Sequence, residues 1–223
     1  MNLQEAVLAR HSVRSYLDKP LDPTSVAELQ ALISELNAVS GLHMQLLLNE
    51  PKPFGGLLSK VGWLAGVKNY LALVGPDDGE LDEKCGYYGE RLVLEAQMRG
   101  IDSCWVGGTY SKGKCAAEVA PGEKLSLVIA LGYAKKPGKA HKSKTFEQVA
   151  AASGEAPDWF RRGVECALLA PTAMNQQKFR FALVGTDGVR ATADHGAFVQ
   201  VDLGIAKYHF EIGAGEGDWK WVK

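Results

Sequence analysis

The chain lacks a long apolar run, an excess of either charge and a wealth of cysteine. Across 223 residues, 25 Lys and Arg stand against 26 Asp and Glu, for a formal net charge of -1. That balance leaves no basic field to attract a nucleic-acid backbone and no basic amphipathic face for a membrane surface. No apolar stretch approaches the ~20 residues that a membrane-spanning helix needs. The opening residues carry no hydrophobic signal core, because Leu3, Ala6, Val7 and Leu8 alternate with polar residues in a helical pattern. A cytoplasmic location is the resulting expectation. The four cysteines, Cys85, Cys104, Cys115 and Cys166, form no C-x-x-C pair and no tight cluster with histidine. This argues against a metal site and against a disulfide framework, and it points to buried or half-buried free thiols.

What is present is enough apolar residue, 46% of the chain, to bury a core as one large domain or two small ones. The pattern predicts an α+β fold, with antiparallel or mixed sheets flanked by helices. An amphipathic helix ends at Ala9. Asp22-Pro23-Thr24-Ser25 then caps a helix over 23–38, with Val26, Leu29, Leu32, Ile33 and Leu36 at helical spacing. Strands are expected over 44–48, 70–74, 103–106 and 125–131, and a long helix over 81–98. The basic segment 134–144 reads as an exposed connector. Beyond it come a helix over 158–169, a strand over 179–184 closed by Gly185, a helix over 199–212 and a short strand over 218–222. The helix-turn-strand of 26–48 is echoed at 164–184. The expected organisation is a single unit over 1–223, divided into halves 1–150 and 151–223 that are either a diverged duplication or a coincidence of ordinary elements.

Three segments carry candidate chemistry. Arg10-His11-Ser12-Val13-Arg14 joins two guanidiniums and a hydroxyl, a donor set suited to a phosphate. In an extended stretch Arg10, Ser12 and Arg14 share one side. By itself the cluster equally fits a solvated helix end. Ala170-Pro171-Thr172-Ala173-Met174-Asn175-Gln176-Gln177 is a helix stop followed by a polar turn, and Asn175 can both donate and accept toward a flat ring edge. Val106-Gly107-Gly108 closes the strand over 103–106, and paired glycines let a backbone approach a planar ligand. Lys142 and Lys144 either add to a phosphate site or belong to a solvated loop.

Together these motifs resemble the nitroreductase family of FMN-dependent oxidoreductases. That family has an Arg-Arg-Ser-x-Arg-like stretch after a short helix, an Ala-Pro-Ser-x-x-Asn-x-Gln-Pro-Trp-x-Phe pattern, and a Cys-Trp-x-Gly-Gly turn after its long central helix. Here His11 takes the second position of the first motif. Thr172 stands for Ser, Phe179 for Trp and Lys178 for Pro in the second, and Cys104-Trp105-Val106-Gly107-Gly108 matches the third. The resemblance implies FMN as cofactor. Arg10, His11 and Ser12 would lie near its phosphate, ribityl chain or ring edge, and Arg14 near the pyrimidine side. Val106, Gly107 and Gly108 would lie near N5, and Lys142 and Lys144 near the phosphate. Pro171, Thr172, Ala173 and Asn175 would meet the ring or ribityl side. No side chain is assigned as catalytic acid or base, and Cys104 is read as packing.

The resemblance also implies NAD(P)H as hydride donor and a small electron-poor acceptor, a nitroaromatic or a quinone, in ping-pong order. In the ordinary family the arginine cluster and the Pro-Ser-x-x-Asn segment of one site come from two subunits, and the latter follows the arginines closely in sequence. In this chain the corresponding early segment, Asn37-Ala38-Val39-Ser40-Gly41-Leu42-His43, has lost the pattern, which appears only after Ala170. The expectation is a monomeric pseudo-dimer with one flavin site, a homodimer being the alternative arrangement. Another flavin reaction on the same scaffold (dehalogenation or flavin degradation) and a non-enzymatic flavin-binding or redox-sensing role are the alternative functions.

Overall fold

The computed structural model describes residues 1–56 and 64–223. Helix α1 (Leu3–Ala9) starts at Asn2, whose side chain accepts from the Glu5 N–H while Glu5 accepts from the Asn2 N–H, a reciprocal cap. Helix α2 (Pro23–Ser40) starts with the Asp22 carboxylate on the Ser25 N–H and Pro23 at its first position. It ends at Gly41 in the left-handed conformation, φ 72°. The Asp22-Pro23 start lies where the sequence pattern placed it, and the helix runs two residues past its expected end at Ala38.

The first sheet has the order β1-β2-β4-β3 and is antiparallel throughout. Its strands are β1 (Gln45–Leu47), β2 (Asn69–Pro76), β3 (Asp102–Val106) and β4 (Glu123–Gly132). Alternation along β2 and β4 sends Leu71, Leu73, Leu127, Ile129 and Leu131 to one core. It sends Tyr70, Ala72, Val74, Val128 and Ala130 to the other, against Val13 and Tyr16. Beside β3 the chain from Arg10 runs extended: Ser12 bridges Ser103 in parallel and the Val13 N–H donates to the Ser103 carbonyl. The arginine cluster is thereby laid along the edge of this sheet.

The second sheet has the order β5-β6-β7-β8, with β5 (Ala150–Ala151), β6 (Phe179–Val184), β7 (Gly188–Ala193) and β8 (Lys220–Trp221). Its outer pairs are parallel and its central pair is an antiparallel hairpin turned at Gly185, φ 66°. The hairpin partner β7 is absent from the sequence expectation. Gly188-Val189-Arg190-Ala191-Thr192-Ala193 carries too few large apolar residues to announce a strand, and it forms because β6 supplies its ladder.

Two long helices join the sheets. Helix α3 (Leu81–Met98) packs on the first, α6 (Val199–Ala214) on the second, and they pack on each other; α4 (Phe146–Val149) and α5 (Asp158–Ala167) complete the α-helices among the described residues, α5 against α6. The α3–α6 crossing is backbone against backbone. A Cβ on Gly86 would collide with the Val201 carbonyl, and one on Gly204 with the Glu83 carbonyl. The glycines are required by close approach, not by a special φ. Cys85 and Cys104 are buried and Cys115 and Cys166 partly so, all as free thiols.

Candidate functional site

A cavity of about 400 Å³ opens where the two parts of the chain meet. Ser12, Arg14, Cys104–Thr109 and Leu127 line it from the first part, and Pro171–Met174 with Phe198, Val201, Asp202 and Ile205 from the second. Its size lies in the range of about 300–1,000 Å³ usual for cofactor and small-molecule sites. A larger groove of about 570 Å³ runs between the start of α1 and the end of α6, but none of the candidate site residues line it.

Of the residues singled out in the sequence, Ser12, Arg14, Val106, Gly107, Gly108, Pro171, Thr172 and Ala173 are brought together on the cavity wall. Arg10, His11, Lys142, Lys144 and Asn175 lie outside that lining. His11 is pressed against Gly138 of the basic connector, where a Cβ would stand 2.6 Å from the His11 Cβ. Asn175 donates to the Lys142 carbonyl (2.9 Å) and accepts from the Gln177 amide (2.8 Å), which itself donates to the same carbonyl (2.9 Å). The Lys144 ammonium donates to the Gln177 carbonyl at 2.7 Å. The amide side chains thus stitch the connector to the turn that presents Pro171–Ala173. His141 adds to the same seam, 2.9 Å from the Leu168 carbonyl.

Arg10 turns inward. It is 3% exposed, its Nε lies 3.7 Å from Glu90 Oε1, and its Nε and Nη1 have no hydrogen-bond partner among the described residues. Burial lowers its pKa from the ordinary arginine value, opposed by Glu90 and then Cys104. Glu90, fully buried on α3, accepts from Trp105 Nε1 (2.9 Å), while His209 Nε2 lies 2.9 Å from its other oxygen. Trp105 belongs to the cavity wall, and Gly89 leaves room for its ring. A buried polar network therefore supports that wall from behind. Burial also raises the Cys104 thiol, against the lowering effects of Arg14, Arg10 and Ser12.

The paired glycines meet different surroundings. A Cβ on Gly107 would come within 2.5 Å of the Phe198 ring, whereas one on Gly108 would meet nothing within 4 Å. The planar group at Gly107 is thus supplied by the chain itself, and the open face is at Gly108. Phe198 is held in the left-handed region, φ 60°, at the start of α6, and is 38% exposed.

A family model described as "Putative TM nitroreductase" matches residues 2–214. The chain belongs to this nitroreductase family. No curated protein matches it. Among solved structures, a protein described as a nitroreductase from Thermotoga maritima MSB8 superimposes with a TM-score of 0.67 at 21% identity, over 96% of this chain and 83% of that one. An FMN-dependent nitroreductase from Clostridium difficile R20291 aligns with a TM-score of 0.50 at 15% identity, over 65% of this chain and 95% of its own. An NADH dehydrogenase/NAD(P)H nitroreductase from Bacteroides thetaiotaomicron VPI-5482 aligns at 0.51 and 14%, over 66% and 95%. At these identities the superpositions show a shared nitroreductase fold.

The nitroreductase motifs do not account for the α6 side of the cavity. Phe198, Val201, Asp202 and Ile205 lie at i, i+3, i+4 and i+7, one helix face. Asp202 is 3% exposed; its Oδ1 accepts from the Ala173 N–H (2.9 Å) and its Oδ2 from Gln176 Nε2 (2.7 Å). Gln176 spends its second amide hydrogen on the Ala197 carbonyl (2.8 Å), tying the turn to the residues before α6. The available signal was a lone aspartate inside the apolar face of the 199–212 helix.

Proposed function

We propose that the chain is an FMN-dependent NAD(P)H oxidoreductase that holds one FMN between the two parts of a single chain. The observation that supports this most is one cavity whose wall combines Ser12 and Arg14 with Val106–Gly108 and Pro171–Ala173. The donor set fits the cofactor: a guanidinium and a hydroxyl for anionic and polar groups, and an open backbone face at Gly108 for a flat ring. Ser12, Arg14, Val106, Gly108, Pro171, Thr172 and Ala173 would hold it directly, with Gly107 backed by the Phe198 ring. Arg10 would back the wall through Glu90, His11 would brace the connector at Gly138, and Asn175, Lys142 and Lys144 would fix the turn that presents Pro171–Ala173. When bound, FMN supplies the hydride relay between NAD(P)H and an electron-poor acceptor, a nitroaromatic or a quinone. Arg14 favours negative charge within the cavity, the apolar face of Leu127, Val201 and Ile205 excludes water, and Trp105 is held still by Glu90.

The one-flavin arrangement is supported by the alignments, in which nearly whole nitroreductase chains cover only about two-thirds of this one. The deciding experiment is a visible spectrum of the purified protein with its flavin-to-chain ratio, followed by anaerobic NAD(P)H. One flavin per chain, bleached by the nucleotide and restored by a nitroaromatic or quinone, is expected. A ratio near two refutes the single site. Bound flavin that NAD(P)H leaves oxidised points instead to a flavin carrier or sensor, and no uptake of added FMN refutes the reading.

A further inference from the structure

Among the described side chains on the cavity wall, Arg14 is the one cation and Asp202 the one carboxylate. Asp202 has the harder position. It is buried on an apolar helix face, no ion pair reaches it among the described residues, and its two oxygens are met only by the Ala173 N–H and the Gln176 amide. A carboxylate removed from water without a counter-cation acts over several ångströms, because little solvent screens it.

We infer that Asp202 sets the reduction potential of the flavin held in this cavity, keeping it lower than Arg14 alone would. The inference rests on the proposed FMN site. Two-electron reduction of a flavin with uptake of one proton adds one negative charge to it. Arg14 stabilises that charge and so raises the potential, whereas Asp202 opposes it and lowers the potential. A wall carrying both signs can hold the oxidised cofactor firmly and still favour passing the electron pair onward.

The charges near Asp202 on α3 and on the turn are otherwise engaged. On α3, which packs against α6, Glu83 is bound by Lys207 and Glu90 is shared by Arg10, Trp105 and His209. On the turn, the Lys178 ammonium is bound to the His195 carbonyl. On the facing wall stand Arg14 and the Cys104 thiol. None of them contributes to the titration of Asp202: burial raises it, the Ala173 and Gln176 hydrogen bonds partly offset this, and the result is about 6. Asp202 is thus ionised at pH 8 and neutral at pH 5.

The test is spectroelectrochemical titration of the FMN-loaded protein from pH 5 to 8, the electrode supplying the electron pair. Wild type is compared with Asp202→Asn and Asp202→Ser, which remove the charge, and with Asp202→Glu, which keeps it. At pH 8 the two neutral variants are expected to favour the reduced flavin about tenfold over wild type, ~30 mV for a two-electron couple. That gap closes as the pH falls through about 6, and Asp202→Glu follows wild type throughout. Altered packing alone would not make Asn and Ser move together, spare Glu and vanish at low pH. Neutral variants that coincide with wild type at pH 8, or a gap that persists to pH 5, overturn the inference while leaving the FMN site standing. Wild type that takes up no FMN overturns both.

Discussion

Replacing Glu90 with alanine tests the buried network behind the cavity. The change deletes the carboxylate that faces Arg10 at 3.7 Å and accepts the Trp105 indole N–H at 2.9 Å. Arg10 already lacks a hydrogen-bond partner on two nitrogens, so without Glu90 its charge is buried and uncompensated. Breaking a buried ion pair from one side costs about 3–5 kcal/mol, and an orphaned buried donor about 1–3 kcal/mol. The two terms share one carboxylate and overlap, so about 4 kcal/mol is the expected loss. For a chain of this size that lowers Tm by about 8–16 °C. Urea unfolding followed by tryptophan fluorescence measures the free energy. Arg10→Leu combined with Glu90→Ala should recover at least half of the loss, because no lone charge then remains. A loss below about 1 kcal/mol, or a double variant as unstable as the sum of the singles, refutes the ion-pair account.

Three further outcomes follow from the geometry. Gly204→Ala drives a methyl into the Glu83 carbonyl, helical backbone that cannot rotate aside, and should cost about 1–3 kcal/mol, while Gly108→Ala, facing open space, should change unfolding stability by less than about 0.5 kcal/mol and weaken FMN uptake. Gly107→Ala should be costly with Phe198 present and nearly neutral in a Phe198→Ala background, a coupling read by a double-mutant cycle of unfolding free energies. Asp202 titrates at about 6, above the ordinary aspartate value of 3.8, so between those pH values the folded protein holds a proton that the unfolded chain has lost. Its contribution to stability is fully present below about pH 4 and lost as pH rises through about 6, an effect of about 3 kcal/mol. Urea unfolding of wild type against Asp202→Asn should show their difference falling over that window, and a flat difference refutes it.

A helix start and the strand cores were legible in the sequence because they are local: Asp22-Pro23 marks the start of α2, and the apolar runs of β2 and β4 mark the sheet. Ser12, Arg14, Gly107, Gly108 and Pro171–Ala173 were legible as family motifs, and the fold brings them to one cavity. The inward turn of Arg10 was not, since its partner Glu90 lies eighty positions away on a helix whose spacing alone says only amphipathic. Nor was the bonding of Asn175 to the connector, which depends on how 134–144 folds back. Strand β7 and the cavity face of α6 escaped for a related reason. Both are defined by what they pack against, and a lone Asp202 among apolar residues looks like an ordinary polar interruption until Ala173 and Gln176 are in place.

The glycine crossing of α3 and α6 has a consequence for how this cavity can diversify. Glu90 holds the wall residue Trp105 from α3, and Phe198, Val201, Asp202 and Ile205 hang from α6, so those helices position both walls. Two main chains already touching at Gly86 and Gly204 leave no side chain there to trim or enlarge. Change in the room within the cavity is therefore channelled into the segments that end on it, the 106–109 turn and the residues that lead into α6, while the α3–α6 frame stays fixed.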